Sequence, residues 1–178
     1  LSIIIVCFMY FSIKNSKSIR QIVKIEPLNY SYSFDGMSFL KTFYRMQQGM
    51  SFYDANIYGI SHDGRQGPPP IFVSGWRLPM TFWLWNSVAR NGEDIWFLFL
   101  MLSVLSLCAL FDIAVITVGR LGVLISSIFL TSYFYFALTS YQFLLIEWWG
   151  FFPFIIGLRF FMHKKTAMGV IIMMIGVF

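Results

Sequence analysis

The chain has 178 residues, of which 58% are hydrophobic, 20% aromatic and only 12% charged, with a mean hydropathy of +0.70. Soluble domains carry about 25% charged residues, so an ordinary soluble globular domain is excluded and an integral membrane protein is indicated. The formal charge of +5 and pI near 9.3 do not point to nucleic acid, because no basic cluster is interleaved with a soluble fold; the excess reads as membrane orientation.

Residues 1–13 form an apolar run shorter than the ~20 residues a membrane span needs, and the chain opens on Leu1. Residues 166–178 are also apolar and end abruptly. Both ends are therefore expected to belong to spans that continue beyond the sequence given. No small-residue cleavage site follows the first run, which argues against a signal peptide. Cys7 and Cys108 lie in apolar runs and are expected to be buried free thiols, without disulfide or metal spacing. Lys14, Lys17, Arg20 and Lys24 follow the first run. Such a cluster suits a cytoplasmic flank, but long loops cross largely regardless of charge.

Residues 27–34 are polar and aromatic, with an extended conformation expected. From Asp35 the pattern turns helical. Met37, Leu40, Tyr44 and Gln47 share one face with Phe43 beside them, and Lys41, Arg45 and Gln48 fall on another. This predicts an interfacial helix whose cationic side meets headgroups or phosphates, ending at Gly49. Asp35 suits the N-cap of that helix. Residues 51–75 are expected to be irregular, with a turn at Asp63-Gly64 and no regular structure through Gly67-Pro68-Pro69-Pro70. His62 and Asp63 have no partner at metal spacing. After Arg77-Leu78-Pro79 comes an aromatic segment, residues 80–88, in which Trp83 and Trp85, with Trp76 before it, suit a water–lipid boundary.

Residues 95–118 form a complete span carrying Asp112, whose simplest role is to snorkel or pair with an arginine. Residues 121–146 and 150–162 are read as two further spans, separated by Glu147-Trp148-Trp149. The fold class is thus an all-α polytopic transmembrane bundle. Residues 1–178 belong to one transmembrane domain, with a first external loop at 14–94 and transmembrane helices over 95–178. Arg120, Arg159, His163, Lys164 and Lys165 share one side, taken as cytoplasmic by the positive-inside rule; Glu93, Asp94, Glu147 and the long loop fall opposite.

A long first external loop opening on Asp35 and a helix running to Met46 and Gly49 resembles the GT-C superfamily of membrane glycosyltransferases. So does the re-entry over Arg77, Pro79, Phe82 and Trp83. The pattern is similar to the lipid A aminoarabinose and protein O-mannosyl transferases. Two departures stand out: Gly36 follows the aspartate where many members have glutamate, and residues 15–34 form a longer approach to it.

The resemblance implies transfer of a sugar from a polyprenyl-phosphate donor to a lipid, glycan or protein acceptor at the external face of a cell membrane of bacterial inner-membrane type. Asp35 would be the general base, and Arg77, Lys41 and Arg45 the phosphate contacts. Glu147 would meet the donor phosphate or a divalent cation, Mg or Mn. Membrane lipids are the other expected partner. A transporter or flippase component, or a membrane scaffold without enzymatic activity, are the alternative classes.

Overall fold

In a computed structural model of the protein, residues 2–25, 35–61 and 80–177 are described, and within them the chain is all-α with no strand. The helices are α1 (Ser2–Asn15), α2 (Lys17–Val23), α3 (Asp35–Gln47), α4 (Phe52–Ser61), α5 (Met80–Val88), α6 (Gly92–Thr117), α7 (Gly119–Leu138), α8 (Ile146–Met162) and α9 (Thr166–Val177). A single 3₁₀ turn, Tyr141–Leu144, joins α7 to α8.

Helix α6 is the longest at 26 residues, and among the described residues it alone is long and apolar enough to cross a membrane. Its start is set by Asn91, whose side chain accepts from the backbone N–H groups of Glu93 and Asp94, as an N-cap should. The stretches Ser2–Asn15, Ile125–Leu138 and Thr166–Ile175 are apolar but shorter. The expectation of several full spans is therefore met by one helix.

The expected span over residues 121–146 also ends early, at Leu138. The Thr139 hydroxyl donates to the Tyr135 carbonyl, and Ser140 then caps the 3₁₀ turn by accepting from the Gln142 N–H. Both hydroxyls compete with the helical ladder and break it there.

Helices α6 and α8 run parallel, with α7 antiparallel between them in sequence. At one end Phe99 of α6 meets Trp149 and Phe152 of α8, and Trp96 donates its indole N–H to the Leu138 carbonyl at the close of α7. At the other end Asp112 of α6 meets Arg159 and His163 of α8. Helix α9 folds back along α8, crossing it backbone to backbone at Gly157 and Gly169. Helix α1 lies against α7, where the Asn15 amide donates to the Tyr135 hydroxyl.

The remaining helices gather at the end where α6 and α8 begin. A chain of aromatic contacts joins them: Phe39 to Phe82 (6.0 Å between centroids), Phe82 to Trp85 (5.4 Å), Trp85 to Trp149 (5.2 Å) and Trp149 to Phe99 (5.7 Å). Each edge-on pair contributes roughly 0.5–1.5 kcal/mol beyond the area it buries. This corrects the boundary role expected of Trp85, which is wholly buried; Trp83, two residues away, is exposed as a boundary residue would be. Trp76 lies outside the described residues. Cys7 and Cys108 are free, as expected, but exposed rather than buried, because they sit on outward faces of α1 and α6.

Candidate functional site

Helix α3 opens at Asp35, where the sequence places its start, and closes at Gly49. The Gly49 N–H donates to the Met46 carbonyl and the Met50 N–H to the Arg45 carbonyl, with Gly49 at φ +91°. This pair of bonds around a left-handed residue is the Schellman ending. The side chain of Asp35 lies outside the described residues. So do Arg77, His62, Asp63, the Gly67–Pro70 run and residues 27–34.

The surface character expected of α3 is corrected. Met37, Leu40 and Phe43 are buried as the pattern requires, but so are Ser38, Thr42 and Lys41, the last only 3% exposed. The supposed cationic face is covered because a second helix packs on it. That helix is α4, within a stretch expected to be irregular. Its start was legible in Ser51-x-x-Asp54: the Asp54 N–H donates to the Ser51 hydroxyl, which donates back to the Asp54 carboxylate at 2.7 Å. Ser51 thereby caps the start of α4.

Arg45 is engaged by α4. Its guanidinium lies 4.2 Å from the Tyr58 ring centroid and donates to the Tyr58 hydroxyl (2.7 Å) and to the Gln48 side-chain oxygen (2.6 Å). The seam between α3 and α4 is thus polar as well as buried. Thr42 meets its need within its own helix by donating to the Ser38 carbonyl. Asn56 does not. It lies on the buried stripe of α4 with Phe52 and Ala55, is 1% exposed, and among the described residues neither its amide nitrogen nor its oxygen has a hydrogen-bond partner. A buried polar group left unmet costs about 1–3 kcal/mol.

A second polar cluster fastens this assembly to α6. Glu93, in the first turn of α6, accepts from Arg20 (3.0 Å) and pairs with Lys24 (3.3 Å). Arg20 also covers the rings of Trp96 and Phe97 and donates to the Ile13 carbonyl. The Tyr44 hydroxyl shares its proton between the Val23 and Lys24 carbonyls (2.8 and 2.9 Å) and accepts from the Gly92 N–H (3.0 Å). One side chain of α3 thereby ties the end of α2 to the start of α6. The basic cluster at Lys14–Lys24 runs against the orientation expected from the later loops. Two of its four cations instead lie against Glu93.

Glu147 is exposed in the first turn of α8, at the rim of an open apolar groove of ≈ 380 Å³ lined by Phe129, Tyr133, Phe134, Trp148 and Phe151. Among the described residues no three His, Cys, Asp or Glu side chains gather closely enough to hold a metal ion, so no step is assigned to one. At the far end Asp112 accepts through one oxygen from Arg159 (2.7 Å) and pairs with His163 (2.8 Å). The arginine partner expected for Asp112 is thus Arg159, two helices further on.

Of the candidate residues, Lys41 and Arg45 are brought to one seam, with Asp35 at the head of the same helix. Glu147 is on a different helix, beside the groove. Tyr44, Asn56 and the Arg20–Glu93 pair escaped sequence reasoning. None carried a local signal for its contacts: Arg20 and Glu93, for example, stand 73 positions apart. Comparison with family models, with curated proteins and with solved structures finds no match.

Proposed function

We propose that the protein is a membrane glycosyltransferase, or part of one, that moves a sugar from a polyprenyl-phosphate donor to an acceptor at the external face. The membrane half of this reading is supported by the outward faces. Phe129, Ile125, Met101, Leu105 and Ile171 are all exposed, and only 33% of the apolar stretch of α6 is buried. A water-soluble chain rarely leaves so continuous an apolar surface uncovered. In this reading α6, α7 and α8 cross the bilayer, and the start of α6 faces outside.

The observation that carries the chemical half is a pair of cations one turn apart on α3, Lys41 and Arg45, on the helix that Asp35 opens. Transfer from a lipid phosphate calls for such a site. Positive charge, from Lys41 with Arg45 and Arg77, steadies the departing phosphate. A carboxylate, Asp35, takes the proton of the acceptor hydroxyl or amine as it attacks the anomeric carbon and the bond to the phosphate oxygen breaks. The groove beside Glu147 would accommodate an apolar chain.

The test is Asp35→Asn in the full-length protein, reconstituted with polyprenyl-phosphate-linked sugars. Asparagine caps a helix about as well as aspartate but cannot accept the proton. The expected result is a folded protein whose turnover falls on the order of 10²-fold or more. Wild-type transfer by this variant would leave Asp35 as a cap and remove the catalytic claim.

A further inference from the structure

We infer that Asn56 is a ligand-binding residue, and that its carboxamide reads adjacent hydroxyl groups of a sugar at the seam between α3 and α4. The choice of a sugar rests on the transferase reading above; the site itself does not.

The starting point is the unmet amide. Asn56 shares its buried stripe with Phe52 and Ala55, a setting that leucine would fill without any polar cost, yet both ends of its amide stand idle among the described residues. Thr42, buried on the facing helix, has already spent its proton on the Ser38 carbonyl. A carboxamide offers two donors and one acceptor side by side. The ligand that answers both is a pair of neighbouring hydroxyls, one donating to Oδ1 and the other accepting from Nδ2. A phosphate answers only half, since its oxygens repel Oδ1. The cations suited to phosphate, Lys41 and Arg45, stand on α3. The two helices thus divide the recognition of a glycosyl phosphate, charge from α3 and hydroxyls from α4.

The amide is closed to solvent in the structure as it stands. Among the described residues α4 packs chiefly on α3 and touches α5 through the Phe52–Phe82 ring contact of 5.2 Å. An element held mainly by one neighbour opens at the least local cost. Parting of α4 from α3 is the movement that admits the ligand.

The experiment compares full-length wild type with Asn56→Leu by two readouts: thermal unfolding with a panel of free hexoses and pentoses at millimolar concentration, and kinetics with polyprenyl-phosphate-linked sugars. Without ligand the variant should melt at or above the wild-type temperature, since an idle buried amide is replaced by an apolar group of similar shape. The sugar-induced rise in melting temperature should vanish. The donor KM should rise about tenfold with kcat within about twofold.

Unchanged sugar response and unchanged KM would overturn the assignment. So would a variant that melts several degrees lower with kcat and KM damaged together, because the amide would then be a structural group holding a trapped water. A wild type that neither responds to any sugar nor loses donor affinity on substitution overturns it as well. If leucine is not accepted, Asn56→Ala carries the same readouts. The two ideas fail separately. Transfer that is indifferent to Asn56 leaves the transferase reading standing and removes the site. A sugar response that depends on Asn56, in a protein that transfers nothing, keeps the site and removes the transferase.

Discussion

The two ends of the α6–α8 pair are built on opposite principles. Where these helices begin, Arg20 and Glu93 are half-buried, at 15% and 23% side-chain exposure, beside a more exposed Lys24 at 59%, and α2 and α3 are bound into the same network. Where they finish, Asp112, Arg159 and His163 meet at 32%, 44% and 45% exposure, and among the described residues this cluster joins α6 to α8 alone. Charges count for more where water is scarce and several elements converge, and for little where each ion keeps its hydration. The first end is therefore built to hold a fixed geometry, as a site must, while the second only pins two helix ends together.

The sharpest way to break this contrast is at Gly92. A Cβ there would stand 2.2 Å from the Val23 carbonyl oxygen, a backbone atom with little room to move. Gly92→Ala should force α2 away from α6 and destabilise the protein by about 2–3 kcal/mol, read as a lower melting temperature in detergent. Unaltered melting would show that the near end is not closely packed.

A smaller loss is expected from Tyr44→Phe. It keeps the ring but strips the Gly92 N–H of its acceptor and two carbonyls of their donor. A cost of about 1–2 kcal/mol follows, with faster hydrogen exchange at the Gly92 amide. Exchange as slow as in wild type would mean that the hydroxyl is not the clasp.

The smallest effects compare the two ends directly. Glu93→Gln should cost about 1 kcal/mol, because Arg20 is left partly buried over Trp96 without its counter-ion. Asp112→Asn should cost less than about half of that, in keeping with an exposed pair. Equal losses, or a larger one at Asp112, would reverse the ranking of the two ends.

Much of the near end could be read from residue order. The start of α3 at Asp35 and its stop at Gly49 follow from local chemistry, since glycine takes the left-handed turn without a Cβ penalty. The acidic start of α6 was equally plain. Helix α4 is harder to read from residue order because a Gly/Pro run follows it, although Ser51 and Asp54 carry a cap signal. The burial of Lys41 and Trp85 is not legible for a different reason. Periodicity tells which residues share a face, and it cannot tell how many neighbours will cover that face.

The amino-acid sequence alone therefore determined the all-α class, the apolar character of α6 and the ends of α3, each of which depends on side chains within a few residues of one another. Tertiary structure alone decided that Lys41 is buried, that Arg45 lies over the Tyr58 ring, that Arg20 and Lys24 converge on Glu93, and that among the described residues the Asn56 amide meets no hydrogen-bond partner. Those outcomes depend on which helix comes to lie against which, through contacts between residues up to 73 positions apart, and burial is a property of the neighbours rather than of the residue.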